Sequence, residues 1–225
     1  MRKEMFNHEI TILRDTYRRL LRRNAKINLK KLTGKTHPAD LAEVFRHFSI
    51  EEQIEIFSLM KENEHAAEFL VELDDALVIE LLENESYDRI ATIIEKAPTN
   101  DQSGILNILE NEKAQSIIEL LNAEEQEEIA EIMGYPDDSA GSLMNTDVFT
   151  LHEETNAKQA VDALQDQRDA EMVFYLYTLD DEGRLTGVIS LRELVITPAE
   201  TKLKDIMSRQ IHAIRPETDQ EEVAK

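Results

Sequence analysis

The sequence predicts a multidomain chain, an all-α superhelix followed by an α/β unit, and three observations carry that expectation. Before Tyr135 the apolar residues recur at helical spacing, in blocks roughly two dozen residues apart. After Met144 the pattern changes to strand, helix, strand, strand, helix. Finally, Met144, Val148, Leu151, Thr155 and Ala160 reappear at constant offset as Met207, Ile211, Ile214, Thr218 and Val223, which marks an internal duplication. The second copy is truncated at Lys225, inside the helix that should precede its hairpin, so the chain is expected to be part of a longer protein. With 225 residues, 41% of them hydrophobic, there is material for two cores.

The first element runs from Glu4 to about Leu32. Ile10, Leu13, Tyr17, Leu20, Leu21 and Ile27 keep helical spacing, and Arg18, Arg19, Arg22, Arg23, Lys26, Lys30 and Lys31 fill the rest. Such a basic amphipathic helix fits docking on an anionic surface, either lipid headgroups or the acidic body of its own chain. It equally fits an ordinary terminal helix with a solvated face. Gly34 and Pro38 then punctuate the chain, since glycine ends helices and proline suits a first turn.

A weak repeat follows. Ala39–Ala42, Ala66–Leu70, Ile90–Ile94 and Ala114–Ile118 open successive units. Each is followed by a second apolar block, at Gln53–Phe57, Ala76–Ile79, Ile105–Leu109 and Glu128–Met133. One helical hairpin cannot bury its own apolar face, so stacking of hairpins into a superhelix is predicted, of either hand. Ser49 with Glu52 has capping-box spacing, and Asp74-Asp75 stands where helices change.

The stretch Tyr135–Met144, reading YPDDSAGSLM, joins the two parts, and Gly141 is expected to lend it backbone freedom. Beyond it, Val148–Leu151 has strand composition, and Thr155 is placed to cap a helix from Ala157 to about Gln167. Val173–Leu179 and Leu185–Ser190 flank a turn at Asp180–Gly183 and form a hairpin. A short helix from Leu191 to Val195 stops at Pro198.

Charge bounds the function. The net charge is −22, yet residues 1–35 hold 11 Lys and Arg against 3 acids, leaving 14 basic and 44 acidic residues in the remainder. Such a body repels phosphate backbones, so no nucleic-acid partner is expected. It attracts cations, although acids also simply keep a domain soluble. There is no cysteine, hence no disulfide or thiolate site, which agrees with a reducing compartment. No apolar run is long enough to span a bilayer. The six histidines lack the spacing of a zinc site. Without a Gly-rich phosphate loop, a Ser-His-Asp pattern or a cysteine nucleophile, the chain is not expected to be an enzyme.

The residues from Met144 onward, closing on Gly187-Val188-Ile189-Ser190-Leu191-Arg192-Glu193-Leu194, resemble a CBS-domain pair. Preceded by an acidic helical repeat and YPDDSAGSLM, the whole arrangement resembles the cytosolic region of the MgtE family of magnesium transporters. The resemblance implies these segments: a basic helix over 1–36, a superhelical N domain over 37–134, a hinge over 135–144, a first CBS motif over 145–200 and an incomplete second one over 201–225. It also implies a homodimer formed through the CBS domains, a transmembrane pore domain beyond this chain, and a location on the cytoplasmic face of the bacterial plasma membrane. Magnesium would bridge acidic faces of the N and CBS domains and close the pore.

Carried over residue by residue, the family's Mg2+ positions fall on Glu68, Asp101, main-chain oxygen near Ser142, Asp219 and Glu221. Asn100 and Gly104 replace two acids of the DDAAD motif that the family often has around Asp101. Asp219 and Glu221 also stand where a helix N-terminus favours acids, and Asp137-Asp138 reads as a turn former as well as an acidic pair. CBS pairs frequently bind ATP or another adenine nucleotide, for which the resemblance selects Tyr175, Arg192 and Glu193. A nucleotide-binding CBS motif usually has Asp at the place of Glu193, and Tyr175 also fits the alternating core of the hairpin. Two rival readings are a nucleotide-sensing CBS module of a soluble enzyme and a helical interaction scaffold, the latter because the N half loosely resembles the stacked helices of a flagellar motor-switch protein.

Overall fold

The computed structural model describes residues 2–60, 63–146, 148–166 and 174–225, with side chains from His8 onward. The chain separates into two compact units, Met1–Met144 and Asn145–Lys225.

The N-terminal segment forms two helices, α1 (Arg2–Arg22) and α2 (Lys26–Thr33), where the sequence reads as one. Asn24, in the left-handed region at φ 48°, ends the first. The break resets the helical phase. Ile27, which would continue the apolar stripe of a single helix, is therefore 76% exposed, and Leu29 and Thr33 take the buried face of α2. Tyr17 is fully buried, and its hydroxyl donates to Thr33 Oγ1 at 3.3 Å, with Thr36 Oγ1 at 3.4 Å. The basic segment thus contributes to the core of the first unit.

Eight further helices build two layers. Helices α3 (Pro38–Phe45), α5 (Asn63–Val71), α7 (Tyr87–Ile94) and α9 (Asn111–Ile118) pack in succession as one layer, and α4 (Ile50–Ser58), α6 (Asp75–Leu82), α8 (Thr99–Ile108) and α10 (Ala123–Met133) as the other. The first apolar block of each repeat supplies the odd layer and the second block the even layer. Between them lie buried Phe45, Phe57, Phe69, Leu70, Ile90 and Ile94. Phe45 and Phe69 meet edge-on with centroids 4.6 Å apart, a geometry that adds about 0.5–1.5 kcal/mol beyond area burial. Ser49 and Glu52 form the expected capping box, Asn122 and Glu125 form another, and Asp74 caps α6.

The layers are also tied by a polar ladder. His65 Nε2 lies 3.1 Å from Thr33 O, Arg89 Nη2 donates to Phe57 O at 3.3 Å and to Met60 O at 3.1 Å, and Lys113 Nζ donates to Leu82 O at 2.7 Å. Each rung sits in the odd layer and reaches the carbonyls that end α2, α4 or α6, where unpaired C=O groups and the helix dipole favour a donor or a cation.

A short helix, α11 (Ala140–Leu143), packs on α8 and α10 and closes the first unit. Gly141 is required there for space and not for backbone freedom. Its φ is not positive, but a Cβ at this position would lie 2.5 Å from the Tyr135 ring.

In the second unit β1 (Thr150–His152), β2 (Tyr175–Leu179) and β3 (Leu185–Ser190) form a sheet in that order. β1 runs parallel to β2, and β2 antiparallel to β3. A parallel pair needs a crossover, supplied by α12 (Ala157–Asp166). The leading strand begins two residues later than Val148, and the expected boundaries at Gln167 and Val173 lie outside the described residues. Asn156, not Thr155, caps α12: its Oδ1 accepts from Gln159 N–H at 2.8 Å while its own N–H donates to Gln159 Oε1 at 3.1 Å. A one-residue offset is enough, because only the Asn side chain reaches the first-turn amide in this reciprocal arrangement.

Helix α13 (Leu191–Ile196) follows β3, and the core of Ala157, Ala160, Leu176, Ile189 and Leu194 is closed by Leu203 and Met207. Met207, the residue that opens the second copy of the duplication, therefore belongs to the core of the first. Gly187 makes room for it, since a Cβ there would lie 2.6 Å from its sulfur. Glu154 reaches Lys202 at 2.6 Å and Lys204 at 2.5 Å, and these two hydrogen bonds hold its carboxyl down at a pKa of about 2. The second copy contributes a further helix, α14 (Gln220–Val223), and the residues around Ile211 and Ile214 form no strand.

Candidate functional site

Glu68 stands on the exposed face of α5, between buried Ala67 and Phe69. No ion pair engages it among the described residues. Asp101 lies in the first turn of α8, where the amide of Asp101 donates to Pro98 O at 2.9 Å and Asn100 Nδ2 donates to its Oδ1 at 3.1 Å. Half-burial pushes the Asp101 carboxyl above the usual carboxylate range. Ser142 is in α11, packed on the helix of Asp101; its N–H donates to Ser139 Oγ at 3.3 Å and its hydroxyl to Ser139 O at 2.9 Å.

Sequence reasoning passed over the acids of α10, the helix that packs against the helix of Asp101. Thr99 Oγ1 donates to Glu128 Oε2 at 3.3 Å, and the carboxyl of Glu125 is pushed up by desolvation, with the charges of Glu95 and Glu128 adding to the rise. Their signal was the pairing of α8 with α10, which a linear reading does not supply. Next to Asp101, Gln102 donates from Nε2 to Ala97 O at 2.9 Å, and its buried Oε1 finds no hydrogen-bond partner among the described residues.

The remaining expected ligands belong to the second unit. Asp219 caps α14, its Oδ1 accepting from Glu221 N–H at 2.8 Å, and Glu221 is exposed in the first turn. Glu68, Asp101 and Ser142 thus fall in one unit and Asp219 and Glu221 in the other. Among the described residues no three His, Asp or Glu side chains converge on a common point suited to a metal ion.

An open groove of about 740 Å³ runs along the second unit between β2, β3 and α13, lined by Phe174, Tyr175, Ser190, Arg192, Val195 and Ile196 among others. Tyr175 is 56% exposed, while Leu176 and Thr178 are buried. The parity of β2 therefore turns Tyr175 away from the hairpin core and into the groove, against the core reading. Arg192 lines the groove as well. Glu193 does not: it points elsewhere on the exposed surface, with its amide bonded to Ser190 Oγ at 3.2 Å. Aromatic faces beside one guanidinium suit a flat heterocycle carrying phosphate.

Residues 36–138 match the model of the MgtE intracellular N domain, and residues 140–199 match that of the CBS domain. The chain thus joins an MgtE N domain to a CBS domain. It is 29% identical over 201 residues to the magnesium transporter MgtE of Thermus thermophilus, covering 88% of this chain and 44% of that one. Identity to the Enterococcus faecalis magnesium transporter MgtE is 36% over 104 residues, 46% of this chain and 23% of the relative. The chain thus spans less than half the length of the curated MgtE relatives it matches. Among solved structures it resembles the cytosolic domain of the Mg2+ channel MgtE in complex with ATP, with a TM-score of 0.87, 27% identity and coverage of 94% of this chain and 86% of that one. The soluble part of a magnesium transporter superposes with a TM-score of 0.84 at 22% identity, over 96% and 85% of the two chains, a likeness of fold. The MgtE N-domain match covers α3 to α10 of the two-layer superhelix, and the CBS match covers the three-stranded sheet and α13. Among the described residues no helix is long and apolar enough to cross a membrane.

Proposed function

We propose that this chain is the magnesium-sensing regulatory region of a magnesium transporter, acting on the cytoplasmic face of a bacterial plasma membrane on a pore domain of the same protein, as a homodimer through its CBS domains. The observation that carries the reading is the order of parts: an acidic MgtE N domain runs into a CBS unit, in a chain 27% identical across nearly its whole length to the cytosolic domain of an Mg2+ channel. In this mechanism acids of the N domain, Glu68 and Asp101 first among them, with main-chain oxygen near Ser142, meet Asp219 and Glu221 of the CBS part only when Mg2+ intervenes.

The energetics favour such a device. Two carboxylates about 4 Å apart repel by roughly 1–4 kcal/mol near a protein surface, so facing acids oppose docking without a cation. Mg2+ reverses the sign while keeping most of its waters, and needs only one or two carboxylates per site. Driving a two-state switch from about 1:99 to 99:1 takes roughly 5.5 kcal/mol of differential binding, which several weak sites supply more readily than one. The desolvated carboxyl of Asp101 is suited to the role, because a cation relieves its buried charge.

Adenine nucleotide, ATP in the first instance, is the second ligand of this reading, and the observation in its favour is the groove that holds Tyr175 and Arg192 side by side. Calorimetric titration of the chain tests both ligands. Mg2+ should bind at several weak sites, and Glu68→Lys should remove part of the heat while leaving the ATP response intact. Unchanged Mg2+ heats in Glu68→Lys would take that residue out of the sensor.

A further inference from the structure

The basic face of α1 and α2 is only partly matched by acids among the described residues: Lys26 reaches Glu55 at 3.6 Å. Four arginines, Arg18, Arg19, Arg22 and Arg23, and the carboxylate of Asp15 line an open hollow of about 320 Å³ at the C-terminal end of α1. Asp15 is already held by Arg14 at 3.0 Å, and Arg18 donates to His47 O at 3.2 Å. Arg19, Arg22 and Arg23 are exposed, and none of them makes an ion pair among the described residues. In a chain of 47 acids and net charge −22, three neighbouring guanidiniums left without a carboxylate point to an anion from outside.

A second feature narrows the kind of anion. Among the described residues, the exposed surface of each helix carries one large aliphatic side chain set among cations. Ile12 is 54% exposed and shares the outward face of α1 with Arg19, seven residues on, while Arg23 follows in the turn just past the helix. Ile27 is 76% exposed, next to Lys26 and with Lys30 and Lys31 on the following turn of α2. A soluble phosphate or nucleotide gains nothing from those two isoleucines. A bilayer does, because an amphipathic surface helix combines apolar insertion with attraction to anionic headgroups.

From this geometry we propose that α1 and α2 form a docking face for an anionic lipid bilayer, with Arg19, Arg22 and Arg23 bound to headgroup phosphates and Ile12 and Ile27 entering the interface. The acidic remainder of the chain does not cancel the attraction, since charges beyond roughly 8 Å are screened at physiological ionic strength. Each basic residue near an anionic surface raises partitioning by about fivefold. Reversing three should therefore lower it at least ~100-fold.

Flotation of the full chain with vesicles tests this. Binding is expected to phosphatidylcholine–phosphatidylglycerol vesicles, absent with pure phosphatidylcholine, and lost as salt is raised. The combined Arg19→Glu, Arg22→Glu and Arg23→Glu variant should stay in the soluble fraction, and Ile12→Ala with Ile27→Ala should weaken binding while keeping its salt dependence. Circular dichroism of both variants should match the parent, as all five side chains are exposed. If the parent ignores anionic vesicles, the proposal fails. A triple variant that shifts the chain's hydrodynamic radius without any vesicle binding by the parent would assign the face to the protein's own acidic surface instead.

Discussion

Gly141 and Tyr135 hold the end of the N domain together by mutual fit. The ring of Tyr135 lies where a Cβ on residue 141 would go, and Tyr135 also donates from its hydroxyl to Glu131 Oε1 at 3.1 Å. Gly141→Ala should cost about 1–3 kcal/mol, the usual range for overpacking, read as a lower urea midpoint with an unchanged slope. Combining it with Tyr135→Ala should recover part of the loss, because the clash goes with the ring. Gly141 looks like a hinge in sequence, since glycine is more often needed for conformation than for proximity. Parity played the same trick at Tyr175, where one residue of strand register separates core from groove. The acids of the proposed sensor were legible only through family resemblance. Exposed Glu68, Asp219 and Glu221 carry no periodicity, and the packing of α8, which carries Asp101, against α10, which carries Glu125 and Glu128, depends on helix pairing.

At the scale of elements the repeat was visible because burial imposes it: each hairpin shows apolar residues at fixed spacing, and these became the two layers. The ladder of His65, Arg89 and Lys113 was not visible, although it recurs every 24 residues. Three residue types fill one structural role, so the repeat is chemical and not literal. Arg89 makes the strongest rung. It donates to two carbonyls that end α4, pairs with Glu85 at 3.0 Å, and lies 5.4 Å from the centroid of the Phe57 ring. Hydrogen bonds to charged groups contribute about 1.5–3 kcal/mol, so Arg89→Met should destabilise the N domain by about 3 kcal/mol in urea unfolding, and Lys113→Met by about half that. Equal losses would show that the rungs do not act through the helix-ending carbonyls. The break at Asn24 escaped notice for a different reason. Asn and Ala are tolerated in helices, and only the tertiary demand that both Tyr17 and Leu29 be buried turns the chain there.

For the whole molecule, two acidic units are joined in one chain of net charge −22, and the proposed role of a divalent cation is to relieve that like charge. The repeated pattern in the sequence bears on how the second unit is built, since Met207, the counterpart of Met144 in that pattern, lies in the core of the sheet unit. The core of the sheet unit thus draws on residues from both sides of the boundary expected between residues 200 and 201, Leu194 before it and Leu203 and Met207 after it. The basic helices at the start of the chain sit apart from this acid balance, which is why they are assigned to a separate surface. The measurement that bears most directly on the central proposal is small-angle scattering of the whole chain in chelator and in excess Mg2+. The radius of gyration should fall when Mg2+ is added, and Glu68→Lys together with Asp219→Lys should hold it at the chelator value. An identical radius in both conditions, or compaction by ATP alone, would contradict magnesium sensing by this region.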